Sequence, residues 1–403
     1  MKNNKVKHKF QYSILENRNN KDIKIFYIFS ELVKDAEYIY CYEELFYLIK
    51  SAFEGKKIIL KLGLDANKNT IHIGHLIPLI VVKKFLYYIP NAVFYFIIAT
   101  FTACVGEFNR SNNETVSLQK AKMNAEIITS YVKCFFRKYL NRVFFVDNES
   151  WLSKLSLSSF LIFAKRFKVN DILKKLQEKT QSGIKISSLL YPILQGYDSV
   201  FLNSDIEFGG SDQLLNVLFA REMKKLCKQN NQVCFLTSLL FDVYGLKMSK
   251  SRKTGQIFLN ENLSSIRRKI FSIENKRFLN VYRLLSSERV DKLSNIFFYK
   301  KGIETLKLKL FNEICFYFNF NAKEYSNAKF VRFYKNKTLD LIELFHFLFP
   351  LLSRKNIKRI IRKNALKIGL ERKTYSNFFF NFNTNEIFFL GKMFIVNLFL
   401  LFE

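Results

Sequence analysis

Two of the chain's four histidines stand three residues apart, at His72 and His75, with Gly74 between them. The apolar stretch after them predicts a helix that begins near His72, so both imidazoles would lie on one face. Free N–H groups at a helix start attract anions, and a glycine lets a flat nucleotide approach the backbone. We therefore expect a phosphate or nucleotide site. The alternatives are a metal site, although the glutamate of an HExxH motif is missing, and a purely structural helix start.

A second candidate is the segment Lys247-Met248-Ser249-Lys250-Ser251, in a loop that follows Tyr244-Gly245. Its two lysines could hold a triphosphate and stabilise the negative charge that moves onto a leaving pyrophosphate. Lysines in a surface loop can also be simply solvated. The segment therefore indicates a nucleotide site only when it is considered together with the histidine pair.

In this order along the chain, the two segments resemble the HIGH and KMSKS signatures of class I aminoacyl-tRNA synthetases. The first signature spans Ala66 to His75, and the second matches letter for letter. The resemblance implies that the chain activates an amino acid with ATP, bound as its Mg²⁺ complex, and holds no metal of its own. It implies catalytic roles on the phosphates for His72, His75, Lys247 and Lys250. It implies further ATP contacts from Gly63, Asp65, Gly74 and Ser249.

Three polar residues spaced by four and three, Tyr191, Gln195 and Asp198, would share one face of a helix. A phenolic substrate needs an acceptor for its hydroxyl, for which Asp198 is suited. It also needs partners for its ammonium group, for which Tyr191 and Gln195 are suited. An amphipathic helix with an ordinary polar face has the same spacing, so the pattern alone leaves both interpretations open.

The sequence around these residues is more specific. Tyr191 to Val200 (YPILQGYDSV) and Gly209 to Gln213 (GGSDQ) resemble bacterial tyrosyl-tRNA synthetases, as does Lys61 to Asp65 (KLGLD). Asn148 and Trp151 resemble the NxxW element near the pocket of that family. The resemblance implies L-tyrosine and tRNA(Tyr) as substrates. It implies a tyrosine pocket of Lys61, Asn148, Tyr191, Gln195, Asp198 and Gln213, with Gly210 and Asp212 approaching the ATP ribose.

The chain departs from this family after its second predicted strand. It has Ala99 to Ala103 (ATFTA) and Gly106 to Arg110 (GEFNR), where the family has stretches like GDFTG and GDPTGK. The resemblance places Glu107 at the family's ammonium-binding aspartate, so a carboxylate is kept on a side chain one methylene longer. Either Glu107 keeps this tyrosine-binding role with a shifted backbone, or the role passes to Gln195.

The elements that would position these residues follow an α/β order. A long helix is predicted at Thr115–Leu140, a mostly helical section at Trp151–Phe201 with a loop at Lys179–Ser188, and a helix after Asp212. Strands are predicted at Lys57–Leu62, Ala92–Ile98, Arg142–Val146 and Asp205–Phe208. Alternating strands and helices predict a Rossmann-like parallel sheet covered by helices. Ligands of such folds bind beyond the carboxyl ends of the strands.

The C-terminal part is strongly basic. Between Ser353 and Lys373 there are nine Lys or Arg residues and one acidic residue, Glu371. Ser353 is a plausible N-cap for a helix there. Basic rows at helical spacing fit phosphate contacts on folded RNA, and they comprise Arg354, Lys355, Lys358, Arg359, Arg362 and Lys363. A solvated basic helix is the alternative. The helix, short strands and the final stretch Phe388–Val396, with its Gly-Lys turn, resemble an S4-type RNA-binding domain.

We therefore predict three domains. They are a Rossmann-like catalytic domain with an N-terminal extension at 1–255, a helical anticodon-side domain at 256–335, and a small α+β S4-like RNA-binding domain at 336–403. The helical pattern is expected to continue to about Lys335. The resemblance also implies a homodimer, with its interface in the section after the second strand.

Composition sets limits on this interpretation. The net charge of +31 fits a nucleic-acid partner, but the abundance of Lys, Asn, Ile, Phe and Tyr also fits an AT-rich genome. The six cysteines form no CxxC pair, and neither a signal peptide nor a membrane span is expected, so we predict a cytoplasmic protein. Two alternatives stay open: a tryptophanyl-tRNA synthetase, and a non-catalytic RNA-binding protein built on a decayed synthetase.

Overall fold

The computed structural model describes most of the first 318 residues and parts of the rest. The described ranges are 20–106, 116–170, 186–240, 256–286, 300–318, 329–334, 338–340, 342, 353–362, 366–368, 373–374, 379–381, 386–390 and 393–401. The chain divides into two compact units, Met1–Val290 and Asp291–Glu403. The predicted divisions at residues 255 and 335 stay predictions.

A six-stranded sheet forms the centre of the first unit, in the order β1-β6-β5-β2-β3-β4. Five strands are parallel, and β1 is antiparallel to β6 at one edge. The strands are β1 (Ala36–Tyr40), β2 (Ile58–Asp65), β3 (Ala92–Ala99), β4 (Val143–Asp147), β5 (Ile206–Gly210) and β6 (Val233–Thr237). The four predicted strands are thereby confirmed within two or three residues at each end, and β1 and β6 are additional.

Helices alternate with these strands along the chain, as the sequence pattern predicts. They are α1 (Asn20–Val33), α2 (Tyr42–Phe53), α3 (Leu76–Tyr88), α4 (Thr100–Val105), α5 (Leu118–Phe135), α6 (Glu149–Leu152), α7 (Leu157–Ala164), α8 (Ile186–Leu202), α9 (Leu214–Leu226), α10 (Leu263–Ser272) and α11 (Asn275–Leu285). The α/β class is confirmed.

Helix α3 shows how the core forms. It is apolar around most of its circumference, and nine of its residues are buried. The ring of Phe85 contacts Phe208 of β5 at 5.1 Å and Phe235 of β6 at 5.5 Å, both edge to face. Arg142 donates to the carbonyls of Leu86 and Ile89 at the end of the helix. These contacts fix the C-terminal end of α3 against β5, β6 and the residue that precedes β4.

Several predicted boundaries are wrong. The helix expected from about His72 begins with a 3₁₀ turn at Ile73–His75, and the α-helix starts only at Leu76. The long helix expected at Thr115–Leu140 is shorter, because Ser117 caps α5 at its start. Part of the expected loop at Lys179–Ser188, from Ile186 onward, belongs to α8. The preceding part, 179–185, lies outside the described residues.

The second unit combines helices with small sheets. Its helices are α12 (Lys300–Tyr317) and α13 (Arg354–Arg362). A five-stranded sheet has the order β10-β9-β12-β13-β7, and β8 pairs with β11. These strands are β7 (Lys329–Tyr334), β8 (Thr338–Asp340), β9 (Leu366–Ile368), β10 (Lys373–Thr374), β11 (Phe379–Asn381), β12 (Glu386–Leu390) and β13 (Met393–Leu401).

The prediction that helix continues to about Lys335 is wrong, because Lys329–Tyr334 is a strand. Its sequence, KFVRFY, is rich in aromatic and β-branched residues, which favour strands. The predicted strand near the C-terminus is confirmed as the antiparallel pair β12–β13. Among the described helices, no segment is both long enough and apolar enough to cross a bilayer.

Candidate active site at the switch point of the sheet

The order of the strands creates a crevice between β2 and β5. From β2 the chain runs to β3 and β4 on one side, whereas β5 and β6 lie on the other. The ladder between β2 and β5 consists of Leu60 with Ile206 and Lys61 with Glu207. Beyond it Gly63 is exposed, although its strand is central, and only Ile97 Cβ, at 3.9 Å, lies near the position of an added Cβ. Such a switch point is where open α/β sheets bind ligands.

The histidine pair lies in the turn that follows β2. His72 is extended and caps the 3₁₀ turn, and its backbone N–H donates to Nδ1 of His75 at 3.1 Å. The His75 N–H in turn donates to the His72 carbonyl at 2.9 Å. The two rings are 3.7 Å apart and 33° from parallel. Residues three apart eclipse in a 3₁₀ turn, so the imidazoles are paired as predicted, though not on an α-helix.

The residues that flank the KMSKS segment contact this same turn. The Ile73 N–H donates to the Ile257 carbonyl at 3.0 Å, and the Leu259 N–H donates to the Ile71 carbonyl at 2.7 Å. A Cβ on Gly74 would lie 3.5 Å from Cβ of Leu240. The described residues on either side of 241–255 therefore lie beside the turn that carries His72 and His75. Lys247, Ser249 and Lys250 themselves lie outside the described residues.

Gly74 has a steric reason to be glycine. An added Cβ would come within 2.9 Å of His72 Nδ1, which is closer than real Cβ contacts. A side chain there would displace the imidazole from its partner His75. The geometry therefore requires a residue without a side chain at this position, as the sequence suggested for other reasons.

Asp198 is the most enclosed of the predicted tyrosine-pocket residues on α8. Its side chain is 3% exposed. Trp151 donates its indole N–H to Oδ1 at 2.9 Å, and Asn148 donates its amide to Oδ2 at 3.3 Å. Asn148 also accepts from the Phe101 N–H at 3.1 Å, which fixes its orientation. The NxxW element thus holds the carboxylate that was predicted to accept a phenolic hydroxyl.

The environment of Asp198 controls its charge. Burial raises the pKa of this carboxyl to about 7, against the lowering effects of Lys61 and of the hydrogen bonds from Trp151 and Asn148. Glu207 adds a smaller upward effect on the same pKa. At neutral pH the carboxyl is therefore poised between its charged and neutral forms.

We expect Asp198→Asn to change how stability depends on pH. The folded-state pKa is raised above its ordinary value of 3.8, so the associated stability is present at low pH and is lost as pH rises toward about 7. This difference corresponds to roughly 4 kcal/mol. Urea unfolding of both proteins should show the wild type losing stability relative to the asparagine variant between acidic and alkaline pH. A constant difference would contradict the expectation.

Tyr191 contacts the carboxyl end of β2. Its hydroxyl donates to both carboxylate oxygens of Asp65, at 3.1 Å each. Thr102 also donates to Asp65, at 2.9 Å, and receives the Asn148 amide at 3.3 Å. Asp65, a predicted ATP residue, therefore belongs to one hydrogen-bond network with three of the predicted tyrosine residues, Tyr191, Asn148 and Asp198.

Lys61 and Gln195 contact each other and share Glu207 as a hydrogen-bond partner. Lys61 is 1% exposed, and its ammonium donates to Glu207 at 3.0 Å and to the Gln195 carbonyl at 3.1 Å. Gln195 donates its amide to Glu207 at 3.3 Å, while its Oε1 is buried and accepts no hydrogen bond from any described residue. The structure thus places Lys61 beneath α8, in contact with Glu207.

The turn after β5 lies on the other side of the crevice. A Cβ on Gly210 would come within 2.6 Å of Asp212 Oδ1 and 2.8 Å of a Leu239 methyl, so the position requires glycine. Asp212 and Gln213 belong to a 3₁₀ turn, and Gln213 accepts from the Asn216 amide at 2.8 Å. These residues and the histidine turn follow the two strands that border the crevice. Glu107 lies outside the described residues.

The basic helix of the second unit is formed as predicted. Ile357 and Ile361 of α13 are buried, and the Ile357 N–H donates to the Ser353 carbonyl at the helix start. The predicted basic residues within the helix are exposed: Arg354, Lys355, Lys358, Arg359 and Arg362. Lys363 lies outside the described residues. The helix therefore has one buried, apolar face and one exposed, positively charged face.

Sequence reasoning missed several members of the network. Thr102, Ser199 and Glu207 were not predicted, yet they contact Asp65 and Lys61. A signal existed for Glu207, because a charged residue inside an otherwise apolar strand needs a buried partner. Its partner Lys61 lies 146 positions away, so local patterns could not pair them.

Comparison with known proteins identifies the family of the chain. A family model described as tRNA synthetases class I (W and Y) matches residues 54–316, and the chain belongs to this class of aminoacyl-tRNA ligases. Within the class, the model describes the branch that handles tryptophan and tyrosine.

Curated relatives carry more specific names. A tyrosine–tRNA ligase from Francisella tularensis is 29% identical over 371 residues, covering 86% of this chain and 92% of the relative. Another from Campylobacter jejuni strain RM1221 is 31% identical and covers 65% of each chain. A solved tyrosyl-tRNA synthetase from Aeropyrum pernix has a TM-score of 0.61 at 20% identity, over 75% of this chain and 97% of that one. One from Archaeoglobus fulgidus, complexed with L-tyrosine, has a TM-score of 0.60 at 19% identity, over 73% and 97%. The likeness to the solved structures shows the fold.

Proposed function

We propose that the chain is a tyrosine–tRNA ligase, which activates L-tyrosine with Mg–ATP and transfers it to tRNA(Tyr). The observation that carries this proposal is the buried Asp198 carboxylate, held by Trp151 and Asn148. A carboxylate at the bottom of a pocket accepts the hydroxyl that distinguishes tyrosine from phenylalanine. The names of the curated relatives support the same amino acid.

Tryptophan is the second candidate, because the family model covers both amino acids. An indole N–H can also donate to a carboxylate, so Asp198 alone does not separate the two substrates. What favours tyrosine is the set of relatives that cover most of this chain, which are named tyrosine–tRNA ligases. The activity assay must therefore include tryptophan.

Activation requires attack of the tyrosine carboxylate on the α-phosphorus of ATP. The bond from that phosphorus to the bridging oxygen breaks, and Mg–pyrophosphate leaves. We assign His72 and His75 to phosphate oxygens in the transition state, and Lys247 and Lys250 to the β- and γ-phosphates. Support comes from Leu240 and Ile257, which contact the histidine turn on either side of the lysine segment. The positive charges of these two lysines would stabilise the leaving pyrophosphate.

We assign the remaining groups of the substrate to further residues of the chain. We assign the tyrosine ammonium to Gln195, whose Oε1 is buried and accepts from no described residue, together with Tyr191 and Glu107. Gln213 and Asn148 complete the tyrosine pocket. Gly63, Asp65, Gly74, Gly210, Asp212 and Ser249 are assigned to ATP. In the second step the terminal adenosine of tRNA attacks the adenylate carbonyl, and AMP leaves.

The direct test is ATP–pyrophosphate exchange with single amino acids. We expect exchange with L-tyrosine and little with L-tryptophan or L-phenylalanine. Exchange that prefers tryptophan would reassign the substrate. Absence of exchange with every amino acid would instead support a non-catalytic RNA-binding protein.

We infer that the exposed basic face of α13 contacts tRNA within an S4-like domain, in a protein that acts in cytoplasmic translation. Lys358→Glu with Arg362→Glu should leave tyrosine-dependent exchange unchanged and strongly reduce tRNA charging, because reversed charges repel phosphates. The control pair, Lys120→Glu with Lys138→Glu, changes the net charge equally at exposed sites on another part of the chain. Equal loss of charging in both pairs would contradict a specific role for α13.

We also propose that the chain forms a homodimer through the section after the second predicted strand, which is β3 of the structure and is followed in this section by α7. Helix α7 exposes Leu157 (72%), Leu161 (47%) and Ile162 (62%), an apolar surface that a second copy would cover. Leu157→Asp with Leu161→Asp should convert the dimer to a monomer in sedimentation equilibrium. The matched pair Ile23→Asp with Tyr27→Asp, at exposed apolar positions of α1, should not. A wild type that is already monomeric would overturn this proposal.

A further inference from the structure

A buried ion pair lies under the predicted tyrosine pocket. The ammonium of Lys61 donates to Glu207 at 3.0 Å, to Ser199 Oγ at 2.6 Å and to the Gln195 carbonyl at 3.1 Å. Both side chains of the pair are at most 2% exposed. An ammonium has three donors, and all three are used by these contacts. Lys61 therefore has no donor left for the substrate.

Glu207 is enclosed by donors as well. It accepts from Ser199 Oγ at 2.8 Å, from the Gln232 amide at 2.5 Å and from the Gln195 amide at 3.3 Å. A buried ion pair survives only when its remaining hydrogen-bonding capacity is satisfied in this way. The contacts tie β2, β5 and α8 together directly below Gln195 and Ser199, which flank Asp198 along the helix.

Few charged side chains lie close enough to Asp198 to affect its ionisation. Lys61 on β2 and Glu207 on β5 are the charged groups that act on it directly. The side of α6 presents the neutral donors Trp151 and Asn148. Asp65 at the end of β2 is linked only indirectly, through Thr102 of α4 and Asn148, and its carboxylate accepts from Tyr191 and Thr102. Lys224 of α9 is a second buried cation, which acts on Lys61 and Glu207. Among the described residues, Lys61 is the cation that acts on Asp198 itself.

We propose that Lys61 is a positioning residue, whose buried ammonium, balanced by Glu207, keeps Asp198 charged to receive the phenolic hydroxyl of the substrate. This inference rests on the proposed function, and it changes the role of Lys61 from direct tyrosine contact to action through Asp198. A charged acceptor makes a hydrogen bond about twice as strong as a neutral one. Of the influences that lower the pKa of Asp198 against burial, Lys61 is the largest.

Removing Lys61 and removing Glu207 should shift the ionisation of Asp198 in opposite directions. Lys61→Met removes the cation, so ionisation of Asp198 should move to higher pH, by about 1 unit. Glu207→Gln removes the anion, so ionisation should move to lower pH. The double variant, Lys61→Met with Glu207→Gln, removes both charges and leaves a neutral pair of similar size. Because Lys61 outweighs Glu207, its midpoint should lie between the wild type and Lys61→Met.

The experiment measures dissociation constants of L-tyrosine and L-phenylalanine against pH, using the fluorescence of Trp151, the only tryptophan of the chain. The ratio of the two constants isolates the hydroxyl, because ionisation of the amino group is common to both ligands. We expect the midpoints of this ratio to rise in the order Glu207→Gln, wild type, double variant, Lys61→Met. If Lys61→Met does not fold, the order of the other three decides the question.

Failure of the proposed function and failure of the positioning role of Lys61 would give different results. A wild type without tyrosine-dependent pyrophosphate exchange would overturn the proposed function. A wild type with that exchange, but with single variants whose midpoints move in the same direction or stay in place, would overturn the positioning role. In that case the ion pair is purely structural, and its loss would lower thermal stability alone.

Discussion

Replacing Asp198 with alanine should abolish the preference for tyrosine over phenylalanine and remove most of the affinity for tyrosine. The wild-type pocket rejects phenylalanine because a buried acceptor would be left without its hydroxyl partner. Tyrosyl-tRNA synthetases are themselves the known case of this effect, at roughly 10⁵-fold, and that family value serves as the reference for the wild type. The measurement is kcat/KM for both amino acids in pyrophosphate exchange.

The matched control for this variant is Asp205→Ala. Asp205 is also a buried carboxylate, and it accepts from the Ile59 N–H at 2.8 Å, away from the pocket. Its loss leaves the partly buried Ile59 N–H without this acceptor, so it should lower stability but keep the preference for tyrosine. If the relative use of the two amino acids is the same in Asp198→Ala as in the wild type, Asp198 is not the hydroxyl acceptor.

His75→Ala, and likewise Lys250→Ala, should slow formation of the adenylate far more than it weakens tyrosine binding. Each residue is assigned to phosphate oxygens that gain charge in the transition state, and the loss of one such contact costs about 10²–10³ in rate, or roughly 2.7–4 kcal/mol. The measurement compares single-turnover adenylate formation with the tyrosine dissociation constant.

A neighbouring lysine gives the control for the second of these variants. Lys253→Ala removes the same charge from the same segment but lies outside the KMSKS motif, so it should leave the rate of adenylate formation nearly unchanged. Equal losses in rate and in tyrosine affinity for His75→Ala or Lys250→Ala would point to a role in folding or in binding, and not in the transition state.

The parts of the fold that could be predicted are those with local signals. β2, β3, β4 and β5 are compact apolar runs bounded by turns, and α8 carries its polar face at helical spacing. The pairing of His72 with His75 also followed from spacing, although the backbone there is a 3₁₀ turn. The strand at Lys329–Tyr334 was missed because the basic residues around it have helical spacing.

What could not be predicted depends on contacts between distant parts of the chain. β1 is a short edge strand, and its partner β6 lies about two hundred residues later, so no local pattern joins them. The same holds for Lys61 with Glu207 and for Ile73 with Ile257. These long-range pairs decide that Lys61 points under α8 and that the flanks of the lysine segment reach the histidines.

A structure of the chain with L-tyrosine and an unreactive Mg–ATP analogue tests most directly whether the two distant segments act on one nucleotide. We predict His75 and Lys250 within hydrogen-bonding distance, about 3 Å, of oxygens on the same triphosphate, with the tyrosine hydroxyl on Asp198. A nucleotide that contacts only one of the two segments, or a tyrosine ring directed away from Asp198, would contradict this prediction.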